Sequence, residues 1–210
     1  MPNWCSNAMT VVGPKNDIVK FISHINRSRA HSKETGHWEL YDIFADLGYV
    51  NEDGDIDCED WTRGYLTDDE GDYGLSKSPT GNDEQCVELH FETAWGPMCD
   101  AWYRLLKEHF GALRHYTIAE ECGNEVYVNT DRKGIFYDEK FAVDGYCSKT
   151  NRYTSDYGVG GIGRSSEKDA LDAINYAFRK DFKTLKEAKR FAEELDDDDS
   201  FLNIGEYCNY

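Results

Sequence analysis

Between Gln85 and Leu106 the apolar residues change from every second position to every third or fourth, and this junction constrains the fold more than any other stretch. Val87, Leu89 and Phe91 alternate with Glu88, His90 and Glu92, as in a strand with one buried and one wet face. Trp95-Gly96-Pro97 then opens a helix, since a proline at the first helical position loses no hydrogen bond. Met98, Ala101, Trp102, Leu105 and Leu106 form its apolar stripe as far as Gly111. A strand handing over to an amphipathic helix predicts a sheet covered by helices.

The flanking segments extend this pattern. Residues 4–12 read as an opening strand stopped by Gly13-Pro14. A helix follows, capped by Asn16, with Asp17 at its positive end and Ile18, Phe21, Ile22 and Ile25 on one face. Residues 37–44 fit a strand through Trp38 and Leu40. Between Glu52 and Asp72 ten acidic residues face the single Arg63, and Gly54, Gly64, Gly71, Gly74, Pro79 and Gly81 punctuate the chain. This composition predicts a loop-rich acidic insertion over 51–84. Strands at 113–119, 125–129 and 135–137 complete a sheet, giving an α+β, ferredoxin-like β-α-β-β-α-β sandwich over residues 1–144 with an added hairpin. Residues 145–165, rich in Gly, Ser and Tyr, read as a linker or surface loop. Over 166–210 two helices form a hairpin, the second opened by Thr184-Leu185-Lys186-Glu187 at capping-box spacing.

Charge narrows the function classes. The chain of 210 residues has 41 Asp and Glu against 23 Lys and Arg, a formal net charge of -18. Such a surface repels phosphates and anionic lipid, so direct binding of nucleic acid or membrane is not expected. It steers basic partners or imitates a nucleic-acid backbone. Seven scattered cysteines without paired spacing fit reduced thiols in a cytosol. No apolar run approaches the ~18 residues of a membrane helix, so a cytoplasmic location is expected.

Pro2-Asn3-Trp4-Cys5-Ser6-Asn7, Phe91-Glu92-Thr93-Ala94-Trp95-Gly96-Pro97 and, more loosely, Tyr116 with Glu120, Glu121 and Gly123 are similar to an Api-like family of small phage- and plasmid-borne proteins. The Gly-aromatic-x-Gly run common in that family is replaced here by Gly123-Asn124-Glu125-Val126-Tyr127-Val128. The resemblance implies a ferredoxin-like domain and a mobile-element setting, in which small acidic proteins serve host takeover or protection against defence systems. Trp4 and Trp95, each at a turn, are expected to anchor the fold.

Catalytic and ligand-binding patterns are fragmentary. Asn51-x-Asp53-Gly54-Asp55-Ile56-Asp57-x-x-Asp60 partly matches a calcium loop but puts Tyr49 at the first ligand position and Asp60 in place of the closing Glu. Gly158, Gly160 and Gly163 satisfy G-x-G-x-x-G before a helix, with Arg164 able to meet a phosphate, yet no β-α-β unit surrounds them. Cys99 sits where a helix dipole would activate a thiol, among residues of core character. The six histidines show no zinc spacing.

What remains is acidic and aromatic: Asp53, Asp55, Asp57, Glu59, Asp60, Asp68, Asp69, Glu70 and Asp72 interleaved with Trp61, Tyr65 and Tyr73, then Asp196 to Asp199 beside Phe201. Carboxylates steer a basic partner while Tyr and Trp supply contact area. The expectation is a non-enzymatic protein, without cofactor or metal, that binds and inhibits a host protein with a basic nucleic-acid-binding groove, in the manner of an anti-defence factor or nucleic-acid mimic. The alternative is a small-ligand or nucleotide-binding protein, or an enzyme, using the loop at 158–163.

Overall fold

A computed structural model describes residues 3–68, 73–81, 83–158, 161–196 and 199–208. The chain is mixed α+β, with two antiparallel sheets and five α-helices among the described residues. None of these helices is long and apolar enough to cross a membrane. The chain divides into two compact units, Met1–Thr130 and Asp131–Tyr210.

The first unit runs β1 (Trp4–Gly13), α1 (Lys15–Thr35), α2 (Glu39–Ala45), β2 (Gly64–Leu66), β3 (Ser76–Lys77), β4 (Gln85–Ala94), α3 (Cys99–His109), β5 (Arg114–Glu121) and β6 (Val126–Asn129). Its sheet has the order β2-β4-β1-β5-β6, with β3 also on β4. β1 is antiparallel to both β4 and β5, with Met9 opposite Leu89 on one side and Thr117 on the other. β4 and β5 are therefore parallel to each other, and β2, antiparallel to β4, is parallel to β1.

The period-two pattern sends odd-numbered residues of β1 and β4 to the helices. Met9, Val11, Val87, Leu89 and Phe91 pack with Ile18, Phe21 and Ile25 of α1, Leu40, Ile43 and Phe44 of α2, and Trp102, Leu105 and Leu106 of α3. Trp102 is fully buried, its ring 5.2 Å from that of Phe44, 5.6 Å from Phe91 and 6.4 Å from Phe21.

Four expectations for residues 1–144 are corrected. Residues 39–45 are a helix, because Leu40, Ile43 and Phe44 stand at i, i+3 and i+4 and all reach the core. α1 begins at Lys15, so Asn16 lies within its first turn and caps nothing; Pro14 is the cap position. Residues 135–137 form no strand. The acidic stretch is part of the core, since Ile56, Leu66 and Tyr73 are buried in it. It also supplies the edge strand β2, which lies so close to β4 that a Cβ at Gly64 would collide with the Glu92 carbonyl oxygen.

The second unit comprises β7 (Phe141–Cys147), β8 (Arg152–Tyr153), β9 (Gly163–Arg164), α4 (Glu167–Phe178), α5 (Leu185–Glu193) and β10 (Phe201–Glu206). Strands run in the order β10-β7-β8, with β9 also on β7. The helices expected as a hairpin cover this sheet, with Val143, Ala170, Ile174, Leu185, Ala188 and Leu202 in one core. Residues 145–165, expected as a linker or surface loop, contribute the end of β7 together with β8 and β9 among the described residues. Thr184 caps α5 as its spacing predicts, accepting the Glu187 N–H, while Glu187 turns back to the Lys183 N–H.

Candidate partner-binding surface

The acidic segment starts from a closed turn. Val50 and Ile56 form a β-bridge, and the Asn51 side-chain oxygen accepts the backbone N–H groups of Asp53 and Asp55, both at 3.0 Å. The Tyr41 hydroxyl of α2 donates to the Gly54 carbonyl at 2.8 Å and ties the turn to the helices. Asp53, Asp55, Asp57 and Glu59 are exposed on this braced segment. Among the described residues no group of three or more His, Cys, Asp or Glu is arranged to hold a metal. Tyr49, at the first position of the calcium-like spacing, is buried and donates its hydroxyl to Glu108 at 2.6 Å.

The remaining candidates divide differently. Asp60 faces α3, where its carboxylate accepts the N–H groups of Asp100 at 2.8 Å and Ala101 at 2.9 Å. Met98, at the cap position, makes no side-chain cap hydrogen bond, so Asp60, forty positions before Asp100, does the capping. Burial nevertheless pushes the Asp60 carboxyl above its usual range. Asp68 accepts the His90 backbone N–H at 2.7 Å and lies 2.8 Å from Nδ1 of that ring. Trp61 meets Phe44 and Tyr41 edge-on. The Tyr73 hydroxyl accepts from the Arg29 guanidinium at 3.0 Å, and Arg29 also donates to the Asp68 carbonyl and faces Glu39 at 3.5 Å. Asp60, Asp68, Trp61 and Tyr73 thus hold the fold together. Asp69, Glu70 and Asp72 lie outside the described residues, as do Asp197 and Asp198; Asp196 and Asp199 are exposed.

In the second unit Tyr157, Gly158, Gly163, Arg164, Ser165 and Asp169 line a cleft of about 210 Å³; Gly160 lies outside the described residues. The Arg164 guanidinium donates to the carbonyls of Gly161, Gly163 and Thr154, which gives it a structural employment within the loop. Ser166 caps α4, and Glu167 and Asp169 occupy its first turn, where their charges oppose an incoming anion.

Burial pushes the Cys99 thiol up to about 12, which removes the activated nucleophile that its helix position suggested. The segments carrying the family resemblance are neighbours: Trp4 pairs with Ala94 and Cys5 with Thr93, and the Asn7 amide donates to the Thr93 hydroxyl at 2.8 Å. Trp95, expected as an anchor, is instead 54% exposed.

Sequence reasoning missed an aromatic group at this end of the sheet. The Trp4 and Tyr65 rings meet edge-on at 5.3 Å, and Trp38 lies 5.9 Å from Trp4 and 6.3 Å from Tyr65. The Arg63 guanidinium carbon stands 5.9 Å from the Trp38 ring centre. The signal was present as Trp38 ahead of the acidic run and Tyr65 within it, but no spacing rule joins them to Trp4. The chain matches no protein-family model, no curated protein and no solved structure.

Proposed function

We propose that this is an acidic mobile-element protein that binds a basic host protein and blocks its nucleic-acid groove, as an anti-defence or host-takeover factor. The observation that carries this reading is the braced segment presenting Asp53, Asp55, Asp57 and Glu59 to solvent on a chain of net charge -18. Carboxylates held in place before encounter steer a basic surface and lose little freedom on binding. We also read the first unit as ferredoxin-like. The order β2-β4-β1-β5 supports this, as do two split crossovers: β1-α1-α2-β2 encloses β4, and β4-α3-β5 encloses β1. The nucleotide-loop alternative draws less support, because about 210 Å³ falls below the roughly 300 Å³ at which ligand pockets begin.

The test is capture of partners from a bacterial lysate with the native chain and with a variant carrying Asp53→Asn, Asp55→Asn, Asp57→Asn and Glu59→Gln. Asp60 stays, because it caps α3. The native chain should retain a nucleic-acid-handling protein that is released between about 50 and about 500 mM salt, as the screening length contracts. The variant should lose it, and competing DNA should displace it if the surface imitates a nucleic-acid backbone. Equal capture by both chains would refute the proposal.

A further inference from the structure

Two large rings stand in solvent at one end of the first sheet. Trp38, at the N-terminus of α2, is 46% exposed, and Trp95, one residue beyond β4, is 54% exposed. Trp95 has φ 75°, in the left-handed region that a bulky side chain enters only at a cost, although a glycine follows directly. Its N–H donates to the Asn3 carbonyl at 2.9 Å, while Ala94 pairs with Trp4 and donates to the Arg63 carbonyl at 3.0 Å. Neither burial nor backbone preference accounts for a tryptophan at position 95.

Trp38, Trp4 and Tyr65 form one shelf, and Glu92, which accepts the Ser6 hydroxyl at 2.7 Å, is in register with Tyr65. Exposed aromatic rings stack on nucleobases or on cations. The net charge of -18 opposes the first and favours the second. Arg63 over Trp38 demonstrates that this ring accommodates a guanidinium. We infer that the shelf of Trp38, Trp4 and Tyr65, with Trp95 following the Ala94 that pairs with Trp4, docks an arginine side chain from a basic segment of a partner protein, and that Arg63 holds its place in the free protein. This deepens the proposed function and rests on the partner being basic.

The probes are fluorescent octa-arginine and octa-lysine peptides and an oligothymidine, each titrated by anisotropy against the native chain and against Trp38→Ala, Trp95→Ala, Arg63→Gln and Arg27→Gln. Trp38→Ala should weaken octa-arginine about 3- to 30-fold, and octa-lysine less. Trp95→Ala should weaken it by a smaller factor. Arg63→Gln should tighten octa-arginine beyond the effect of Arg27→Gln, which makes the same charge change on the exposed side of α1. The opposite signs at Trp38 and Arg63 distinguish a vacated shelf from damage to the fold. If the native chain binds octa-arginine while Trp38→Ala and Arg63→Gln leave it unaltered, the shelf is refuted and the basic partner stands. If octa-arginine does not bind at all, both readings fail. Oligothymidine binding that Trp38→Ala abolishes would overturn the choice of occupant.

Discussion

Replacing Asp60 by alanine tests whether the acidic segment is structural. Its carboxylate takes two N–H groups from the start of α3, and among the described residues no other side chain is seen to cap that end. Two hydrogen bonds at about 1 kcal/mol each, with about 0.3 to 1 kcal/mol from the helix dipole, set the loss at about 2 to 3 kcal/mol. For a unit of 130 residues this lowers the melting temperature by about 7 to 11 °C if the unit melts in one transition. Asp60→Asn should cost about half as much. It keeps one acceptor oxygen, and it removes a charge whose burial raises the carboxyl pKa. Scanning calorimetry gives the melting temperatures, and near-ultraviolet dichroism of the buried Trp102 on α3 reports the packing of that helix. An alanine variant within about 0.5 kcal/mol of native, or an asparagine variant as damaged as alanine, would refute this account of the cap.

Two further predictions concern the same unit. Phe91→Ala should cost about 3 to 5 kcal/mol in a urea melt, because a ring 1% exposed against Trp102 leaves a cavity; an unchanged midpoint would contradict the sheet-on-helix core. Burial holds the His115 imidazole down at about 4, so between pH 6.5 and about 4 the unfolded chain binds a proton that the folded chain refuses, and stability should fall as pH falls. His115→Gln should remove about 1 to 2 kcal/mol of that decline, and an identical pH dependence in the variant would exclude His115 as its source.

The junction at 85–106 was legible because both of its periods are intact: β4 appears where the alternation puts it and α3 carries the expected stripe, although it starts at Cys99 with Met98 at the cap, so Pro97 precedes the helix and is not its first residue. The segment 37–44 misled because Trp38 and Leu40 alternate, whereas Leu40, Ile43 and Phe44 at helical spacing carry the burial. In the acidic stretch, Ile56, Leu66 and Tyr73 are single apolar residues among polar and acidic ones, and their roles depend on contacts from distant elements. The capping by Asp60 and the grouping of Trp4 with Trp38 and Tyr65 join residues tens of positions apart, which no local pattern encodes. The second sheet escaped notice because β8 and β9 are two residues each, and the glycine-rich run around them reads as loop.

β1 is the interior strand between β4 and β5, yet it precedes both in the chain, pairing its residues 4–13 with 85–94 and residues 6–12 with 114–120. At roughly 5 to 20 residues per second of synthesis, β1 waits for about 4 to 16 s before β4 is made, and longer for β5. Throughout that interval Met9, Val11 and Val12, all buried in the finished fold, have neither of their strand partners, and α1, made directly after β1, has only that one strand to cover. Closing loops of this length before the pairing is gained slows folding, and it leaves β1 open to wrong partners while the chain is still being made.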